Sequence, residues 1–128
     1  MTPFGEKVRE LRATKKIALK KMAEDLHVSS AYLSALEHGQ RGRPAPGLVM
    51  QIAGYLDCIW DEVEDLKRLA MLSHPRVTLD TAGLAPRYTL LANLLSERIA
   101  TLSEDQITKI LKVMNNEDKA GDDEGGGV

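Results

Sequence analysis

Apolar residues recur at spacings of three and four along almost the whole chain, and the strict alternation expected of strands is missing, so the pattern predicts an all-α protein. The first helix starts at Thr2 as N-cap with Pro3 in its first turn, and runs to about Ala13 with Phe4, Val8 and Leu11 inward. Lys15 and Lys16 break it. A second helix, about Leu19 to Leu26, turns Met22, Ala23 and Leu26 inward and leaves Lys20 and Lys21 outside. After a turn of His27, Val28 and Ser29, the Ser29 hydroxyl caps a third helix through His38, with Leu33 and Leu36 inward and Gly39 as its stop. Two helices joined by so short a turn form a helix-turn-helix.

Pro44 and Pro46 set the start of a fourth helix with the stripe Leu48, Val49, Ile52, Ala53 and Leu56, ending near Asp57. Ile59, Val63, Leu66, Leu69 and Ala70 mark a fifth, whose early acids (Asp61, Glu62, Glu64, Asp65) and later Lys67 and Arg68 suit the helix dipole. Ser73-His74-Pro75 breaks the chain, and Val77 to Pro86 reads as a hinge loop. A helical hairpin is expected next. Arg87 to Leu102 carries Leu90, Leu91, Leu94, Leu95, Ile99 and Leu102 on one side, and Ser103 with Gln106 forms a capping box before a helix holding Ile107, Ile110, Leu111 and Met114. From Asn116 the chain is acidic, Gly-rich and aperiodic, which predicts a disordered tail. The expected organisation is therefore a five-helix domain over 1–75, a helical extension over 76–115 and a tail over 116–128.

The composition, 43% hydrophobic and 28% charged, is that of a globular chain with a core. Its apolar runs fall far short of the about 20 residues that span a bilayer, and its start lacks the apolar core of an export signal, so no membrane partner and a cytoplasmic location are expected. The single Cys58 reads as a small apolar residue, and the spacing of His27, His38 and His74 has no metal-ligand signature. A Gly-rich phosphate loop, a nucleophile elbow and an apolar pair of carboxylates are all missing from the sequence, so neither cofactor nor catalysis is expected. The net charge of -2 hides an uneven distribution. Residues 1–43 hold nine Lys or Arg against five acids, leaving the remainder strongly acidic. A basic front on an acidic rear suits contact with phosphates at one end of the chain.

The run KKMAEDLHVSSAYLSALEHG resembles the helix-turn-helix of the XRE (Cro and phage-repressor-like) family of transcriptional regulators. Arg9, Leu11 and Arg12 resemble that family's first helix, Met22-Ala23 its Leu-Ala pair, Glu37 and Gly39 its Glu-any-Gly ending, and Pro44 with Leu56 its fourth helix. The likeness covers about Phe4 to Leu56. YLSALEHGQRGRP, followed by IWDE and SHPRV, resembles a bacterial subgroup with a helical C-terminal extension. Three departures stand out. Ala18 and Leu19 occupy positions where the family favours a polar residue, His27 stands where Gly is usual, and the stretch from Glu37 to Pro44 is one residue longer than the common pattern.

The resemblance implies a sequence-specific DNA-binding regulator, most simply a repressor, whose third helix enters the major groove of double-stranded DNA. The physics agrees, because short side chains at Ser29, Ser30, Ala31, Ser34 and Ala35 let a helix backbone approach base edges. Tyr32 is the bulky exception. By family position Ser30, Ala31 and Ala35 face bases, yet neither Ser nor Ala offers the bidentate contact that contributes about 1 to 3 kcal/mol per base. Arg41 and Arg43, on a loop restricted by Gly42 and Pro44, are read first as phosphate contacts, with groove contact and solvated charge as alternatives. Lys15, Lys16, Lys20 and Lys21 read first as ordinary surface lysines and second as contacts to the DNA backbone, with Lys20 and Lys21 the candidates. Glu37 is expected to pair with a basic residue of the first helix such as Arg12. A homodimer on a pseudo-palindromic operator is implied, joined through the fifth helix and the hairpin residues Leu90, Leu94, Leu95, Ile99, Leu102, Ile107, Ile110 and Leu111. The alternative is an antitoxin-like or adaptor protein whose hairpin binds a protein partner.

Overall fold

A computed structural model describes residues 1–116, and every regular element in them is helical. The order is α1 (Pro3–Lys15), α2 (Leu19–Leu26), α3 (Ser30–Glu37), α4 (Pro46–Tyr55), α5 (Trp60–Met71), α6 (Pro86–Arg98), a 3-10 turn (Ile99–Thr101) and α7 (Glu104–Met114). The chain divides into two compact units, the first Met1–Thr78 and the second from Leu79 onward. The expected tail lies outside the described residues except for Asn116.

In the first unit each helix contributes to one core: Phe4 and Val8 from α1, Met22 and Ala23 from α2, Leu33 and Leu36 from α3, Val49, Ile52 and Ala53 from α4, and Leu66 and Ala70 from α5. Leu56, just past α4, is fully buried with them. A buried side chain of this size contributes about 1.5 to 3 kcal/mol, so this core drives the fold. The helices begin and end for local reasons. Thr2 Oγ1 accepts from the Gly5 N–H at 3.0 Å, Ser29 Oγ accepts from the Tyr32 N–H at 3.0 Å, and Glu62 Oε1 accepts from the Ile59 N–H at 3.0 Å. Lys16, His27 and Asp57 sit at φ 57°, 60° and 52°, the left-handed positions that close α1, α2 and α4. Each costs about 1 kcal/mol relative to glycine, and is held there by the flanking helix packing and by a backbone N–H bond to the carbonyl three residues back, of Ala13, Glu24 and Gly54 respectively.

The start of α1 is welded to the end of α3. Thr2 N and Thr2 Oγ1 both donate to the Glu37 carbonyl, at 3.0 and 3.1 Å. The approach is so close that a Cβ added to Gly5 would stand 2.1 Å from that same oxygen. About two turns further along the first helix, Arg12 Nη2 meets the Glu37 carboxylate at 3.3 Å, while Arg12 Nη1 donates to the Ile17 carbonyl at 3.2 Å. Both partners are nearly buried, with 12% and 6% of their side chains exposed. α5 is tied to the same helix start, because buried Ser73 accepts from the Phe4 N–H at 2.9 Å and donates to the Leu69 carbonyl.

α2 and α4 are joined at the surface. The Tyr55 hydroxyl donates to Asp25, whose other oxygen takes Lys21 Nζ at 3.0 Å. The Tyr55 bond, then that of Lys21, holds the Asp25 carboxyl below its ordinary range, and the Asp25 contact raises both Tyr55 and Lys21.

In the second unit Ser103 Oγ accepts from the Gln106 N–H at 3.1 Å while Gln106 Oε1 accepts from the Ser103 N–H at 2.9 Å, the expected capping box. The segment before α6 is more ordered by local bonds than a plain hinge: Asp80 caps the Ala82 N–H at 2.9 Å, and Thr81 bonds Thr89 at 2.7 Å. No residue of α6 or α7 is buried.

Several expectations need correction. Helix three ends at Glu37, one residue early, because His38 becomes its C-cap. Helix six stops at Arg98 instead of reaching Leu102, the last residues tightening into a 3-10 turn. Ile59 is not part of the inward stripe, since as N-cap of α5 it precedes the first helical turn and is 67% exposed. Trp60, the next residue and the first of α5, is 80% exposed. Leu11 and Leu26 are half-buried against the core's edge.

Two measurements check these ties. Gly5→Ala is expected to destabilise the protein by about 3 kcal/mol in urea unfolding, at the upper end for overpacking because the obstructing atom is backbone; a neutral substitution would refute the close approach. Tyr55→Phe is expected to raise the Asp25 carboxyl pKa, read by carbon-13 carboxyl titration. Asp25 favours the fold above its unfolded pKa, an advantage lost as pH falls through the depressed folded value, so the variant loses that protection at a higher pH than the parent. An unmoved titration would mean that the hydroxyl does not reach Asp25 in solution.

Candidate nucleic-acid interface

α2, the turn at His27–Ser29 and α3 form the helix-turn-helix. The inward side of α3 is Leu33, Leu36 and Glu37, all buried. On its other side Ser29, Ser30 and Ala31 are exposed, while Tyr32, Ser34 and Ala35 are half-buried. The helix therefore presents a narrow ridge of small groups at its N-terminal end. His38 Nδ1 lies 2.8 Å from the Ser34 carbonyl, so the imidazole folds back along the last turn.

The cations near this ridge differ in how free they are. Lys20 is exposed and makes no ion pair among the described residues, whereas Lys21 is engaged by Asp25. The structure thus separates two neighbours that look equivalent in sequence. After α3 the chain turns through Gly39 and Gly42 at φ 79° and 74°. Gln40 N donates to the Ala35 carbonyl at 2.9 Å and Gly42 N to the Gly39 carbonyl at 3.1 Å, so the loop is hydrogen-bonded onto the helix end. Glycine is required at position 39, because a Cβ there would meet Thr2 Cγ2 at 2.6 Å. The reversal lays the Arg41 guanidinium 5.5 Å from the centre of the Tyr32 ring. Arg43 is exposed and Pro44 after it is buried.

The hairpin residues form a separate group. Leu94, Leu95, Leu102, Ile107 and Ile110 are half-buried, while Leu90, Ile99 and Leu111 are 60%, 55% and 54% exposed. Most of them line an apolar groove of about 490 Å³ that also takes in Leu91 and Met114. Cys58 is half-buried beside the first unit's core, and burial, then Glu62, pushes its thiol up, which keeps it protonated and unreactive.

Three relations escaped sequence reasoning. The Gly5 to Glu37 approach was signalled only by a glycine in the first turn of a helix, a costly place unless something packs against it. The Asp25–Tyr55 bond joins residues 30 apart, and the Tyr32–Arg41 contact depends on a chain reversal. Neither leaves a periodic trace.

Comparison with known proteins bears on the first unit. The model of a family described as a helix-turn-helix domain matches residues 3–74. The uncharacterized HTH-type transcriptional regulator RghRB of Bacillus subtilis (strain 168) is 39% identical over 56 residues, which is 44% of this chain and 40% of that protein. The HTH-type transcriptional repressor RghR of the same organism is 38% identical over 53 residues, 41% of this chain and 39% of that one. The matches thus span about two fifths of each curated relative. No solved structure matches the chain. A helix-turn-helix of this geometry, matched over more than half the chain, places the protein in the helix-turn-helix domain family, and it belongs there with the XRE-type transcriptional regulators.

Proposed function

We propose that the protein is a sequence-specific DNA-binding repressor that acts as a homodimer on a pseudo-palindromic operator. The observation that carries this reading is the exposed ridge of Ser29, Ser30 and Ala31 at the start of α3, with exposed Lys20 on the preceding helix and exposed Arg41 and Arg43 on the following loop. Small side chains admit the helix to a major groove, where Ser30, Ala31 and Ala35 face base edges and Ser34 follows the groove wall. Ser29 stays occupied as the cap. Lys20, Arg41 and Arg43 neutralise phosphates, with Lys21 secondary because Asp25 already balances it.

The homodimer is supported by the hairpin. Two short helices with no buried residue and a continuous apolar groove cannot stabilise themselves in water, and a second copy supplies the missing apolar surface. Two-fold symmetry then demands half-sites about 34 Å apart, one helical turn of DNA. The name of one relative as a repressor, together with a small chain that can occlude a promoter, favours repression over activation. The same groove also suits the alternative of a protein partner, and the oligomeric state separates the two.

Selection from a random duplex pool by the full chain is expected to yield a two-fold symmetric motif. Ala31→Glu is expected to abolish binding to that motif without loss of folding, since it puts a carboxylate on the exposed ridge; retained binding would rule out α3 as the reader. Leu91→Glu, in the hairpin groove, is expected to leave a monomer in sedimentation equilibrium and to weaken binding to the paired site by about 100-fold through lost avidity. A wild-type chain that sediments as a monomer would overturn the homodimer and leave the groove to another protein.

A further inference from the structure

We propose that Tyr32 is a positioning residue, a platform that holds Arg41 ready for the DNA backbone, and that it does not read bases itself. This rests on the DNA-binding reading above and adds a division of roles within it. Three features of the chain converge on Arg41. Its guanidinium carbon lies 5.5 Å from the centre of the Tyr32 ring, within the range of a cation–π contact. Its backbone is held between Gly39 and Gly42, both at positive φ, in a loop bonded back to α3 through Gln40 N and closed on itself by the bond from Gly42 N to the Gly39 carbonyl. Tyr32 itself is fixed in the first turn of α3, where its N–H is the one that Ser29 caps.

A free arginine side chain gives up rotamer freedom when it is immobilised on a partner. Stacking on the ring meets part of that cost before DNA arrives. It also leaves the edge of the guanidinium open, because a ring occupies a face while phosphate oxygens bind the N–H groups along the rim. Arg43 has no ion pair and no aromatic partner among the described residues, so it enters the complex with its freedom intact. The two arginines of RGR are therefore unequal, with Arg41 the larger contributor to affinity. The bulk of Tyr32 on a face otherwise made of Ser and Ala also acquires a reason.

The test is a double-mutant cycle on the full chain, with dissociation constants measured by fluorescence anisotropy for the selected motif and for a random duplex. Tyr32→Leu is expected to weaken both by about threefold, the size of an exposed cation–π contact, and Tyr32→Phe, which keeps the ring, to change neither. In an Arg41→Ala background Tyr32→Leu is expected to have no further effect. Arg41→Ala should cost more than Arg43→Ala. An undiminished Tyr32→Leu effect in the Arg41→Ala background would overturn the platform role and make Tyr32 a direct contact; so would a loss confined to the selected motif. A wild-type chain that binds no duplex would instead defeat the DNA-binding reading. The platform is tested without DNA by proton NMR: the Arg41 Hδ signals are expected upfield in the wild type and in Tyr32→Phe and at ordinary positions in Tyr32→Leu. Ordinary positions in the wild type would contradict it.

Discussion

One residue, Glu37, joins the first unit together twice. Its carbonyl takes both donors of Thr2, and its carboxylate takes Arg12 in a place where neither charge has much water. Breaking a pair this buried leaves an uncompensated charge, at a cost of about 3 to 5 kcal/mol, so the contact fixes the geometry even if it adds little net stability. Gly5 makes it possible, because no side chain fits between α1 and the Glu37 carbonyl. The consequence is that the C-terminal end of α3 cannot move independently of α1 and, through Ser73, of α5. Everything offered at the outer surface of α3 is therefore offered from a rigid base.

That rigidity explains how so bland a helix can be useful. Ser and Ala bring little hydrogen-bonding power, and their value depends on backbone placement that a loosely held helix could not reproduce. The charged groups follow the same division between fixed and free. Lys21 is committed to Asp25 and Arg41 is laid on Tyr32, while Lys20 and Arg43 stay unpaired among the described residues. The cations near the ridge thus differ in which of them are already engaged within the chain.

Much of this was legible in the sequence. Helical periodicity located the seven α-helices of the described residues, Thr2 and Ser29 marked caps, and Arg12 was the expected partner of Glu37. His27 in a left-handed turn was readable because it stands where the resembled family usually has Gly. What was not legible has a common cause. Periodicity reports the face a residue belongs to, not the element boundary, so Ile59 looked like core until the start of α5 placed it outside. Pairs distant in sequence, such as Asp25 with Tyr55, carry no signature in a single chain. The hairpin was readable as helices, yet its lack of buried residues appears only in three dimensions.

In the proposed DNA complex the N-terminal ridge of α3 and the loop after it meet DNA together while the clamp at Glu37 stays intact. The most direct measurement is a nitrogen-15 NMR titration of the full chain with its selected duplex. Amide shifts are predicted to concentrate at Lys20, at Ser29 to Ala35 and at Arg41 to Arg43, with Thr2, Gly5 and Glu37 unmoved. Shifts centred on α4 and α5 or on the hairpin, with the ridge silent, would contradict the account.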